Sequence, residues 1–353
     1  MDEVVYEFPP YAQEIINKVI KSDWFIHSFN LDNENDIYNP AAYLYNAEFN
    51  GLEYTVHLDL NVYQYVISAF KKHKKNELHR DAIALMVFGK FTNVIFDTTI
   101  AIYEKLNYLE QCPDELIDDL FLFRQLDNTN RDHLADFSLG YIDNIQLEEI
   151  PLLDKENLKL NLTKYRRLKK WDTFYVFILK ITELIYFDKS SNEEKINKFF
   201  KWCFSDFLYS IVPISFVIRL FGKNNLPKLM KYKPSLSTTQ KKDALINMTW
   251  DLFLIDKFFE GWGSKEQNKE FIYASNDKPL KSVLELAISI QTHGNGNHLK
   301  NDLTPSLIQE INSLEFAMKL TKGRKINDIT DIKHYRDKLI KTLESTLLSS
   351  CAN

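Results

Sequence analysis

The sequence predicts an α/β protein in which a small sheet accompanies a long, almost wholly helical stretch. Three observations lead there. Glycine (9) and proline (10) are scarce among 353 residues, together about 5% against an average near 12%, which disfavours an all-β chain built on tight turns. Hydrophobic residues make up 45% and aromatic residues 14%, enough for a large packed core. Strand-like and helix-like runs then alternate as strand, helix, helix, strand, helix between residues 54 and 104, the opening of an α/β sheet. At about 150 residues per domain the length allows one enlarged domain or two.

Taken in order, a short helix is expected over Tyr11–Ile20, with Ile15, Ile16, Val19 and Ile20 on one side, followed by an Asn/Asp-rich loop. Asn50-Gly51 is a turn signal, and Tyr54–Leu58 is β-branched and aromatic, a strand ending in Asp59. Helices are predicted over Val62–Phe70 and Arg80–Phe91, a strand over Thr92–Phe96, and a third helix from Thr98 or Thr99 that carries Glu104. From Asp114 to Ser237 the spacing is helical throughout, most clearly in Trp171–Phe187 and Ile196–Ile211, with a polar loop between them. Lys223–Thr239 is basic and loop-like. Asp243–Phe259 is a strong helix, Phe271–Ser275 a strand, and helices fill the remainder apart from the loop from His293 to His298.

Charge and cysteine usage narrow the classes. Lys+Arg 44 against Asp+Glu 49 leaves a net charge of −5, which removes a bulk-basic nucleic-acid binder but permits a local basic groove. Cys112, Cys203 and Cys351 are scattered and form neither a disulfide framework nor a zinc pattern, so a cytoplasmic setting is expected. The acidic start carries no signal segment. Phe207–Phe221 is the most apolar run, but Pro213, Arg219 and its length mark a buried helix pair and no membrane span.

The functional signal is acidic. Asp59 closes one predicted strand, and Asp277 follows another after Asn276. In an open parallel sheet the carboxyl ends of strands form the ligand crevice, so such aspartates converge. Glu104 lies one to two turns into the helix after the second strand. Asp243, Asn247 and Asp251 share a helix face at i, i+4 and i+8. Each acid alone is explained as a cap, a turn former or a solvated side chain. Gathered together they would repel by about 4 kcal/mol per pair at 4 Å and an effective dielectric near 20. Divalent cations would relieve that repulsion, and oxygen ligands without cysteine select Mg²⁺ or Mn²⁺ over zinc.

Val56-His57-Leu58-Asp59-Leu60-Asn61-Val62 resembles the opening signature of PIN-like domains. Thr98–Glu104 is similar to the second acidic segment of that family, and Tyr273-Ala274-Ser275-Asn276-Asp277-Lys278 to its late strand ending in a small hydroxyl residue, a variable residue and Asp. The resemblance implies a three-layer α/β/α sandwich with a central, mostly parallel sheet and the activity of a metal-dependent nuclease, mostly on RNA. It puts metal-ligand roles on Asp59, Glu104, Asp251 and Asp277, with Asn61 as a supporting polar residue, and implies products with 5′-phosphate and 3′-hydroxyl ends. Asp256 and Asp243 compete with Asp251 for the third acidic position. The matching parts are residues 51–113 and 238–300. Between them 114–237 reads as a large helical insertion, with 1–50 an N-terminal extension and 301–353 C-terminal helices packing on the core.

Several further features carry expectations. Lys71–Lys75 and Lys164–Lys170, including Lys169 and Lys170, are phosphate-contact candidates, as is Lys278. His293 and His298 flank a Gly-Asn-Gly turn, and loop histidines seldom bind metal. The primary expectation is an endoribonuclease acting on RNA, with tRNA and single-stranded nucleic acid as candidate substrates. A free nuclease would be toxic, so restraint by a regulatory protein or ligand at the insertion is expected, and nuclease analogy suggests a toxin or phage-defence effector. Two alternatives stand beside it: an inactive PIN-like scaffold whose helical region binds a protein partner, and an all-helical regulatory protein.

Overall fold

A computed structural model describes residues 5–27, 37–72, 75–107, 112–152, 154–163, 170–263, 268–293, 296–321 and 331–349. The chain divides into two compact units, Met1–Arg167 with Lys257–Asn276, and Leu168–Asp256 with Asp277–Asn353. The expected boundaries at 113/114 and 237/238 therefore do not coincide with the unit boundaries.

The first unit holds a four-stranded sheet, so the all-helical alternative does not describe this chain. Strands β1 (Phe25–His27), β2 (Glu53–Leu58), β3 (Ile95–Asp97) and β4 (Lys269–Ala274) are arranged in the order β1-β4-β2-β3. The strand β2 runs parallel to both β3 and β4, pairing Thr55 with Ile95 and Val56 with Ile272, while β1 is antiparallel to β4. Tyr54, Val56 and Leu58 alternate with more exposed neighbours, the period-2 pattern of a half-covered strand. They join Ile272 and Ala274 in a core with Ile15 and Val19 of α1 (Ala12–Ser22) and Val87 and Phe88 of α4 (Glu77–Thr92). On the opposite face His57 packs against Phe258 and Phe271.

Local chemistry explains the element ends. Helix α2 (Pro40–Asn50) starts on Asn39, whose side chain accepts from Ala41 N at 3.1 Å, with Pro40 supplying a preset φ. It ends on Gly51 at φ +62, a left-handed conformation that glycine adopts without a Cβ clash. Helix α4 runs one residue past the expected Phe91, and Asn93 at φ 55 terminates it, so the strand begins only at Ile95. Gly89 lets α4 approach β3 closely, since a Cβ there would lie 2.3 Å from the Phe96 ring. The unit also contains α3 (Leu60–Lys71), α5 (Thr99–Asn107), α6 (Pro113–Asn128), α7 (Arg131–Leu139) and α8 (Lys155–Thr163).

The second unit is helical: α9 (Trp171–Tyr186), α10 (Asn192–Ser205), α11 (Ile211–Phe221), α12 (Thr238–Gly263, to Asp256 in this unit), α13 (Lys278–His293), α14 (Pro305–Thr321) and α15 (Ile332–Ser349). Its aromatic residues pack on one another. Phe177 of α9 meets Phe199, Trp202 and Phe207 at ring centroids 6.2, 6.0 and 5.1 Å away. Pro213 sits in the first turn of α11, where its missing N–H is harmless. No described helix is long and apolar enough to cross a membrane.

Candidate functional site

Asp59 leaves the end of β2 and caps α3. Its Oδ1 accepts from Leu60 N at 2.8 Å and its Oδ2 from Ser275 Oγ at 2.8 Å, and the residue is 4% exposed. Its backbone N–H extends the ladder to Ala274 O at 2.9 Å. The turn after β4 is braced in turn. Ser275 N–H donates to Trp24 O, Asn276 Oδ1 accepts from Trp24 Nε1 at 3.1 Å, and Trp24 stacks on Tyr65. Asn61, expected beside Asp59, is exposed on the first turn of α3.

A pair that the strand-end rule could have found lies next to it. Asp97 ends β3 and pairs in register with His57. His57 Nδ1 lies 2.9 Å from Asp97 Oδ2, although the ring N–H does not point squarely at that oxygen. Asp97 also caps α5 through Thr99 N at 2.8 Å. Burial works to raise the Asp97 carboxyl, but His57 and Thr99 outweigh it and hold it at about 2. The sequence signal was an aspartate directly after the run Ile95-Phe96, the same pattern that singled out Asp59.

Glu104 is buried on α5. Its neighbour Lys105, also buried, pairs with Asp119 of α6 at 2.6 Å, and Lys71 contacts the other oxygen of the same carboxylate. The Lys105 ammonium stands 5.1 Å from the Tyr63 ring centroid. Burial tends to raise Asp119, and the two lysines bring it below the ordinary carboxylate value. Part of the basic run Lys71–Lys75 is thus tied into the protein. Lys75 Nζ donates to Phe70 O at 3.2 Å, and His73 and Lys74 lie outside the described residues.

In the second unit Asn247 and Asp251 do share a face of α12. Lys231, from the loop before that helix, contacts Asn247 Oδ1 and sits 2.5 Å from Asp251 Oδ2. Burial pushes the Asp251 carboxyl up, Lys231 opposes that, and the charge of Asp277 adds to it. Asp277 caps α13, accepting from Leu280 N at 3.0 Å, with Lys278 exposed beside it. Of the competitors, Asp243 is exposed, and Asp256 pairs with Lys170 at 2.5 Å. Lys169 and the side chains of His293 and His298 lie outside the described residues.

The expected acids are thus divided, Asp59 and Glu104 in the first unit and Asp251 and Asp277 in the second. Among the described residues no three His, Cys, Asp or Glu side chains form a group able to hold a metal ion. The chain matches no family model, no curated protein and no solved structure. What the site offers is therefore its own chemistry. Each Asp59 oxygen accepts one hydrogen bond and the Asp251 carboxylate is paired with the Lys231 ammonium, so both acids already have partners in place.

Proposed function

We propose that this chain is a PIN-like scaffold without nuclease activity, whose helical second unit binds a protein partner. The observation that carries the reading is the ion pair between Lys231 and Asp251. A metal-dependent phosphodiesterase keeps its acids anionic and available so that metal ions can activate water and shield the leaving oxygen. Here an ammonium supplies the compensating charge on Asp251, and Asp59 and Asp277 cap helices. The three-layer PIN-like arrangement with a large helical insertion belongs to the same proposal. It is supported by the parallel β3-β2-β4 order and by the aspartates that follow β2 and β4.

A second reading, a Mg²⁺- or Mn²⁺-dependent endoribonuclease, is favoured by one contact, the Ser275 hydroxyl on Asp59. A serine or threonine that fixes the orientation of an acid is useful when that acid must meet a ligand at a set angle. One experiment separates the readings. Wild type, Asp59→Asn and Asp277→Asn are incubated with tRNA, mRNA and single-stranded DNA in Mn²⁺, and thermal unfolding is followed with and without the ion. The scaffold gives no cleavage above the variants and no Mn²⁺-dependent shift. Mn²⁺-dependent cleavage that disappears in both variants would establish the nuclease instead.

A further inference from the structure

A glycine that follows an asparagine leaves its backbone nitrogen open to the preceding side-chain amide, because no Cβ screens it. The chain places such a pair, Asn50-Gly51, where α2 ends and the link to β2 begins, and both residues are exposed. A second pair, Asn295-Gly296, has its asparagine outside the described residues.

One neighbour holds both groups of the first pair. The Asn46 carbonyl accepts from Gly51 N–H and, at 3.1 Å, from Leu52 N–H. Asn46 Oδ1 accepts from Asn50 Nδ2 at 2.8 Å. Its own Nδ2 donates to Tyr54 OH at 2.8 Å, and the buried Tyr54 ring lies against that of Tyr43, with centroids 4.6 Å apart. Asn46 therefore engages the amide that would leave and the N–H that would lose its proton, and it is itself tied to the core through Tyr54.

We propose that Asn50 is a site of spontaneous deamidation and that Asn46 sets its rate. Gly51 N attacks Asn50 Cγ, the Cγ–Nδ2 bond breaks, and ammonia leaves with the proton of the Gly51 N–H. Water then opens the cyclic imide at either carbonyl, giving aspartate or isoaspartate at position 50. The two groups are released together when the last turn of α2 opens, so the folded chain reacts in proportion to its locally open fraction. The product weakens the turn that guarded it. A carboxylate cannot donate to Asn46 Oδ1, and it puts negative charge at the negative end of α2. Isoaspartate also adds a backbone carbon ahead of β2, whose first residue, Glu53, donates its N–H to Asn268 O at 2.8 Å. Neither the scaffold nor the nuclease reading enters this chemistry.

The test keeps the full-length chain, its Asn46→Ala variant and a free peptide of residues 44–56 in mildly alkaline buffer. Peptide mapping by mass spectrometry follows aspartate and isoaspartate at position 50. Folded wild type should convert about tenfold more slowly than the peptide, and Asn46→Ala several-fold faster than wild type. In urea that unfolds both chains the two should convert equally. Should Asn46→Ala lack a cooperative melt, Tyr54→Phe, which removes only the hydroxyl that anchors Asn46, takes its place with the same expectation. Folded wild type reacting as fast as the peptide, no product at position 50 after many peptide half-lives, or equal rates in wild type and the folded variant would each overturn the proposal.

Discussion

Ser275 Oγ donates a hydrogen bond to Asp59 Oδ2 at 2.8 Å, joining the residue that follows β4 to the residue that follows β2. Both side chains are buried, and the other Asp59 oxygen caps α3. Ser275→Ala removes the donor from a buried carboxylate and should cost about 1–3 kcal/mol. Asp59→Asn should cost less, because an amide oxygen still caps the helix. The midpoint of urea unfolding reads both, and two unchanged midpoints would mean that the bond contributes nothing.

Acid stability should report Asp97. Its carboxyl is lowered from the ordinary 3.8 to about 2. A depressed carboxyl contributes stability that is complete above its ordinary value and is lost as the pH falls through the folded one. The unfolding free energy should therefore decline between about pH 4 and pH 2. With the side chain 29% exposed, screening leaves about 1–2 kcal/mol for this group. Asp97→Asn should flatten that stretch of the stability curve, and an unaltered curve would remove the assignment.

The pair Lys105–Asp119 should be the most sensitive ionic contact in the first unit. Asp119→Asn leaves the Lys105 ammonium, whose side chain is 6% exposed, without its anion. The expected cost is about 3–5 kcal/mol. Lys105→Met in the same chain should recover most of it, since the uncompensated charge is then gone. A double-mutant cycle measures the coupling, and additive effects would show that the two groups act independently.

Lys231→Met should destabilise the second unit in a pH-dependent way. The Asp251 carboxyl already titrates above its ordinary value, and without the ammonium it rises further. A raised carboxyl weakens the fold as the pH rises through the carboxylate range, because the folded state prefers the proton. A loss of about 1–3 kcal/mol at neutral pH should therefore vanish below about pH 4. Thermal melts at several pH values test this, and a pH-independent loss would point to packing alone.

Much of the fold was legible in the chain. The strands ending before Asp59 and leading to Asp277, the helix carrying Asn247 and Asp251 on one face, and the aromatic helices of the second unit all follow from periodicity, because a buried face imposes its repeat on the residues beneath it. The strand β1 was missed since three residues, Phe25–His27, are too few to display a period of two. The start of α2 was marked by Asn39-Pro40, a cap followed by a preset φ, although its apolar spacing is weak.

The residues alone thus determined the α/β class, the strands β2 and β4 and the aspartates that follow them, Asp59 and Asp277. They did not determine the state of those carboxylates. Lys231 lies twenty residues before Asp251 in the chain and reaches its oxygen only because the intervening loop folds back on α12. Lys105 and Asp119, on successive helices, meet beneath Tyr63. Ser275 reaches Asp59 only because β4 enters the sheet beside β2. Local propensity is set by neighbours in sequence, whereas the charge and hydrogen bonding of a buried carboxylate are set by whatever the tertiary fold brings within about 3 Å of it.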